Sequence, residues 1–290
     1  MAASLFRSNS TISAISGENY SYLQRQILEG SGIVIDESKH YLLEARLLPI
    51  VRRENLASID GLCAVLKKSS STALRDEVIE AMTTNETFFF RDGAPFDALR
   101  NHVLPELKAR YANSRKIRLW SAASSSGQEA YSLSMLLLEC GFSDWDVQVL
   151  GSDLFEGVLA KAARGLYSEL EVNRGLPRSY LLRYFTREGA EWQVKEELRR
   201  LVKFQKFDLR NDMRQLGLFD VIFCRNVLIY FDVETKRHIL QRMRSVMNPG
   251  AYLVLGAAET VLNVDNVLQK RSFDSVVYYQ IPEPPAVENS

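Results

Sequence analysis

From residue 117 onward the chain alternates strand-like and helix-like segments, and this alternation constrains its fold more than any other feature. The pattern predicts strands at 117–121, 146–151, 201–207, 219–224 and 251–256, with helices at 127–140, 155–164 and 233–247. Phe219–Cys224 is apolar except for Asp220, as expected of a strand packed on both faces, and such strands belong to mostly parallel sheets covered by helices. Val267–Arg271 and Ser275–Ile281 read instead as an antiparallel hairpin at the sheet edge. A second hairpin is predicted where Tyr184–Arg187 and Trp192–Lys195 flank Glu188-Gly189-Ala190-Glu191, inside an insertion at about 177–200.

Before this region the periodicity is helical. Tyr22, Leu23, Ile27 and Leu28, then Leu42, Leu43, Leu47 and Leu48, recur at three- and four-residue steps, so Tyr20–Met82 reads as a small all-helical domain. Asp36 is the expected N-cap of its second helix, and Pro49 either ends that helix or kinks it. The expected layout is a disordered tail at 1–18, a helical domain at 19–82, a linker at 83–92 that contributes to a site, the sheet domain at 93–281 and a flexible tail at 282–290.

Composition excludes several classes. Thirty-six basic residues balance thirty-six acidic ones, which disfavours wholesale binding to a nucleic-acid backbone. No segment reaches the roughly eighteen apolar residues of a membrane span and no signal peptide is apparent, so a cytoplasmic protein without membrane insertion is expected. Cys63, Cys140 and Cys224 lie far apart and read as reduced thiols, with no metal site.

The strand at 117–121 runs into Ser121–Gly127, a loop of only Ser, Ala and Gly, and then into a helix carrying Glu129 in its first turn. Small residues let a ligand approach the backbone, and a helix start offers free amides, although a structural turn looks the same in sequence. The next strand delivers Asp153, where open parallel sheets bind a nucleotide ribose. Only Gly127 stands where a dinucleotide site needs closely spaced glycines, so a nucleoside ligand without phosphates fits better. The strand at 219–224 ends in Arg225-Asn226, at the edge where such sheets bind ligands, with Tyr230 just beyond. Upstream, Phe88-Phe89-Phe90 precedes Arg91 and reads equally as an interdomain plug and as part of a site. Arg91 there suits a two-pronged hold on a carboxylate or a structural ion pair.

Thr83-Thr84-Asn85-Glu86-Thr87-Phe88-Phe89-Phe90-Arg91, Ser121–Ser132, Ser152-Asp153 and Phe219–Phe231 occur in that order, and together they resemble the bacterial chemotaxis receptor methyltransferases of the CheR type. The resemblance runs from about Tyr20 to Gln280. It implies an α/β fold: a Rossmann-like methyltransferase sheet, a small all-α N-terminal domain and an inserted β-hairpin subdomain. The implied activity is a protein-glutamate O-methyltransferase that uses S-adenosylmethionine (SAM), leaving S-adenosylhomocysteine, to esterify glutamates on the cytoplasmic helical bundle of chemoreceptors, and that is recruited to membrane receptor arrays. Carried over by position, Asn85, Thr87, Arg91, Glu129, Asp153, Asp208, Leu209, Arg225 and Asn226 would contact the cofactor, with Arg91 and Tyr230 nearest the methyl group. The family often has two acids where this chain has Gln128-Glu129, and an Asn where Asp208 stands. The turn at Glu188–Glu191 is shorter and poorer in glycine than in relatives that dock a receptor's tethering peptide, so a tether-independent enzyme is expected.

Methyl transfer to an ionised carboxylate needs no general base, which agrees with the lack of a His or Cys at the crevice among these motifs. Lys39, Arg46 and Arg53 recur every seven residues, with Arg52 adjacent, and form a basic stripe suited to an acidic helical partner. An ordinary solvated face is the plainer reading of such a stripe. A SAM-sensing module without activity is disfavoured by the presence of Asn85, Arg91, Glu129, Asp153 and Tyr230. Methylation of RNA or a small molecule is disfavoured by the neutral charge and the helical domain.

Overall fold

The computed structural model describes residues 15–35, 40–68, 72–83, 85–273 and 275–282, and the chain forms two compact units that divide between residues 84 and 85. The first unit holds α1 (Gly17–Ser31), α2 (His40–Arg53), α3 (Ile59–Lys68) and α4 (Thr72–Met82) around Leu23, Ile27, Leu43, Leu47, Leu62 and Val78. Helical order begins earlier than the expected end of the tail at residue 18. Ser16 caps α1 by accepting from the Asn19 N–H at 3.4 Å, Asp60 accepts from the Ser16 N–H, and Ile15 is buried in the core. Pro49 lies within α2, which continues to Arg53. Its ring and Ala45 are both exposed, so the carbonyl deprived of a donor meets water and the helix survives. Asp36 and Lys39 lie outside the described residues.

In the second unit, α5 (Ala94–Ala98) passes through a π-helical turn at Leu99–Val103 into α6 (Leu104–Arg110). There follow β1 (Lys116–Ala122), α7 (Gln128–Glu139), β2 (Asp146–Asp153), α8 (Glu156–Arg164), β3 (Leu166–Ser168), α9 (Glu169–Asn173) and α10 (Arg178–Tyr184). Next come β4 (Phe185–Glu188), β5 (Glu191–Val194), α11 (Glu196–Arg199), β6 (Val202–Lys206), β7 (Phe219–Cys224), α12 (Val233–Arg244), β8 (Met247–Leu255), β9 (Gln269–Phe273) and β10 (Val276–Gln280). The large sheet has the order β6-β2-β1-β7-β8-β10-β9; its first five strands are parallel, and β10 runs antiparallel to both of its neighbours, β8 and β9.

Alternation along β1 and β7 distributes the core. Leu119, Val221 and Phe223 pack with Leu133, Leu136 and Leu137 of α7, whereas Trp120, Ile222 and Cys224 join Ile239, Leu240 and Met243 of α12. The chain leaves β1 toward β2 on one side and β7 toward β8 on the other. The carboxyl ends of β1 and β7, where Ala122 pairs with Cys224, therefore flank a topological switch point. The inserted subdomain is a three-stranded sheet, β3-β5-β4, and it starts well before residue 177 because Leu166–Ser168 pairs with Glu191–Gln193. Residues 85–92, read as a linker, belong to the second unit: Phe89 is fully buried with Tyr131, Tyr167 and Phe185, and the Phe90 N–H donates to Ser132 Oγ at 3.0 Å.

Gly127 shows what the small-residue loop is for. Its φ is +93°, and a Cβ there would lie 2.8 Å from Ala162 Cβ and 3.0 Å from Phe204 Cζ, so its missing side chain serves packing against α8 and β6. Gly127→Ala is expected to destabilise the protein by about 2–4 kcal/mol through left-handed strain and overpacking. Denaturant unfolding measures this, and an unchanged midpoint would mean that the loop relaxes freely.

Candidate functional site

The loop that follows β1 is wound tightly. Ala123, Ser125 and Gly127 all have positive φ, at 62°, 48° and 93°, and strained non-glycine residues of this kind concentrate where a site dictates the backbone. The Ser124 N–H donates to the Ser152 carbonyl at 2.8 Å, which ties the loop to the end of β2. The Ser125 N–H donates to Asp153 Oδ2 at 2.9 Å, and Asp153 Oδ1 accepts from the Phe155 N–H at 3.3 Å. Burial pushes the Asp153 carboxyl above its ordinary value, against these amide donors, which favour the charged form. Ser124 Oγ is buried with no hydrogen-bond partner among the described residues.

Glu129 enters from the first turn of α7 and meets β7 across the switch point. Its carboxylate accepts from Ser121 Oγ at 2.8 Å and from Arg225 Nη1 at 3.2 Å. Burial raises its carboxyl above the ordinary range, opposed by the Arg225 guanidinium and the Ser121 hydroxyl. Arg225 is itself enclosed, with a side-chain exposure of 2%. Its Nη2 donates to Asp92 Oδ2 at 2.5 Å and to the Arg91 carbonyl at 3.0 Å, and the ring of Phe96 lies 5.8 Å from the guanidinium. The sequence suggested that Arg225 contacts a ligand; in the structure its guanidinium joins α7 and the segment before α5 to the end of β7.

The remaining candidates fall into two groups. Asn226, in the left-handed region at φ 58°, and the half-buried Tyr230, whose N–H donates to the Val227 carbonyl at 3.2 Å, follow Arg225 at the same edge. The Asn85 carbonyl accepts from Ser125 Oγ at 3.1 Å, which brings the 85–91 segment onto the loop, with Thr87 half-buried within it. Arg91 donates to the Glu86 carbonyl at 2.6 Å and lies 5.7 Å from the Phe88 ring, whose other neighbour is Arg174 at 4.3 Å. Asp208 and Leu209 are differently engaged. The Asp208 carboxylate is held by the Arg210 guanidinium at 2.7 Å, and Leu209 is buried in the core with Trp120 and Ile222.

The basic stripe of the first unit is also largely committed. Arg46 Nη1 donates to the carbonyls of Met82 and Thr83 at 2.7 and 3.1 Å, capping the end of α4, and Arg53 pairs with Glu54 and with Glu77 of α4. The heptad spacing therefore marks the seam between α2 and α4. Arg52 is exposed. Sequence reading also missed Glu259, whose carboxylate sits against the segment after β7. Its available signal was an acid placed just after a parallel strand, in Gly256-Ala257-Ala258-Glu259.

The crevice at the ends of β1, β2 and β7 thus holds two desolvated carboxylates, a buried unpaired hydroxyl and a strained loop. This donor set fits a ligand that brings both cationic charge and hydroxyl groups. A cavity of about 750 Å³ opens on the β8 and β10 side of Arg225, lined by Asp92, Arg225, Leu255, Glu259, Leu268 and Tyr279 among others.

Two family models match the chain: the CheR methyltransferase all-alpha domain over residues 18–83 and the CheR methyltransferase SAM binding domain over residues 85–277. Similar curated proteins are the chemotaxis protein methyltransferase Cher2 of Pseudomonas putida and the chemotaxis protein methyltransferase 1 of Pseudomonas aeruginosa. The first is 39% identical over 86% of this chain and 92% of its own length, and the second 41% identical over 82% and 88%. The chemotaxis protein methyltransferase of Vibrio parahaemolyticus is 38% identical over 93% of this chain and 99% of its own length.

Breaking the Arg225 pair from one side strands a charge in the interior. Arg225→Met is expected to cost about 3–5 kcal/mol, and clearly less in a Glu129→Gln background, where that charge is already gone. Denaturant melts of the two single variants and the double variant measure the coupling; strict additivity would show that Arg225 and Glu129 do not depend on each other.

Proposed function

Because the chain belongs to the CheR methyltransferase family, we propose that it transfers a methyl group from S-adenosylmethionine to glutamate side chains on the cytoplasmic helices of chemoreceptors. The observation that supports this reading best is the pair of largely desolvated carboxylates, Glu129 and Asp153, that meet the Ser121–Gly127 loop. Glu129 is assigned the ammonium of the methionine moiety and Asp153 the ribose, with Asn226 and the Asn85–Thr87 segment assigned to the rim of the same site; the ties of Glu129 to Ser121, of Asp153 to the Ser125 amide and of the Asn85 carbonyl to Ser125 support this. S-adenosylmethionine supplies the methyl group from its sulfonium. The chain has to bind it, align the incoming carboxylate behind the methyl and exclude water.

Arg91 is assigned the incoming carboxylate. Its backbone carbonyl is pinned by Arg225, while one of its guanidinium nitrogens rests on the Glu86 carbonyl, which leaves further donors for a two-pronged hold. Tyr230 is assigned to the sulfonium, where an aromatic ring favours a cation. No proton must move, because a receptor glutamate is ionised at neutral pH. For receptor docking through the helical unit, the exposed Arg52 is the stripe member that stands clear of the α2–α4 seam, whereas Arg46 and Arg53 act within it. The tight Gly189-Ala190 turn between β4 and β5 leaves little surface to seat a tethering peptide, which supports action at receptor arrays independent of such a tether.

Receptor-containing membranes incubated with methyl-labelled SAM should acquire base-labile methyl esters, at equal rates with and without the receptor's C-terminal peptide. Arg91→Ala should lower turnover by about 100-fold or more. Absence of ester would refute the function, and an unchanged rate in Arg91→Ala would remove Arg91 from the reacting centre.

A further inference from the structure

The segment that carries Asn226 and Tyr230 leaves β7 and turns at once, so its amides lose their strand partners. A single side chain takes them up. Glu259 Oε2 accepts from the N–H groups of Asn226 at 2.8 Å and Gly256 at 2.7 Å, and Oε1 accepts from those of Val227 at 2.9 Å and Ile229 at 3.2 Å. One carboxylate thus spans the loops that follow β7 and β8. Gly256 makes the approach possible: a Cβ there would lie 2.7 Å from Glu259 Oε2 and 3.0 Å from the Asn226 nitrogen. An acid and a glycine three residues apart are thus shaped around the same four amides, three of which lie some thirty residues earlier in the chain.

We infer that Glu259 is a positioning residue of the methyl-transfer site: it fixes the left-handed Asn226 and the turn that sets Tyr230, without itself touching either substrate. The inference rests on the reading that this segment borders the cofactor. A carboxylate suits the role because both of its oxygens accept, and four charge-assisted hydrogen bonds hold a short turn more rigidly than neutral ones. Glutamine in the same shape replaces one acceptor by a donor and sets it against two of the amides.

The test compares wild type, Glu259→Gln and Gly256→Ala by three measurements: amide hydrogen exchange, SAM affinity, and kcat and KM for receptor methylation. In Glu259→Gln the amides of Asn226, Val227, Ile229 and Gly256 should exchange faster while those of β1 and β2 do not, and kcat should fall by about 100-fold with a smaller change in the receptor KM. Gly256→Ala, which retains the acid but pushes it off the amides, should show the same signature and decides the matter if Glu259→Gln does not fold. Wild-type kcat in either folded variant, or a loss that merely follows the folded fraction, overturns the inference. If the wild type itself binds no SAM, the functional reading fails, while the exchange rates still decide whether Glu259 holds the turn.

Discussion

The buried guanidinium of Arg225 is the contact on which the crevice depends. It lies at the point where the chain's connections diverge between β1 and β7, and it joins Glu129 from α7 to Asp92 and the Arg91 carbonyl from the segment before α5. Charges taken out of water are tolerated only when their partners are in place, so this cluster is as much a constraint as a source of stability. Its Nε atom has no hydrogen-bond partner among the described residues, and the desolvation that raises Glu129 is offset by the same guanidinium. Loss of Arg225 or of Glu129 would leave its counterpart's charge unmatched beside the crevice.

A similar economy operates one step further along. Asp153 receives amides from the loop after β1, and Glu259 receives amides from the loops after β7 and β8. Together with Glu129, these two acids, each reached by at least one residue distant in sequence, convert the loose ends of a parallel sheet into a shaped edge. Rigidity of this kind matters for a displacement that uses no general base, since alignment and exclusion of water carry the whole reduction of the barrier.

Much of the fold was legible because its signals are local. The strand at 219–224 was readable from an apolar run, that at 146–151 from the β-branched, alternating Val147-Gln148-Val149, and the hairpin at 185–194 from a glycine turn between short alternating segments. What escaped depends on partners far along the chain. Leu166–Ser168 is too short to announce itself as a strand until Glu191–Gln193 pairs with it. Arg46 looked available for an outside partner because nothing in its neighbourhood says that the end of α4 lies beneath it. Arg225 was readable as a polar residue at a strand end, but the sense in which it points is set by Glu129 and Asp92, distant from it in sequence. Glu259 carried only the faint signal of an acid after a strand.

The central claim is that the cofactor lies at the carboxyl ends of β1, β2 and β7, and a crystal structure with bound S-adenosylhomocysteine tests it most directly. The ribose hydroxyls should lie within hydrogen-bonding distance of Asp153, about 2.5–3.0 Å, and the amino-acid end beside Glu129 and the Asn85–Arg91 segment. Density for the nucleoside in the cavity between Leu255 and Tyr279, with the Ser121–Gly127 loop untouched, would contradict it.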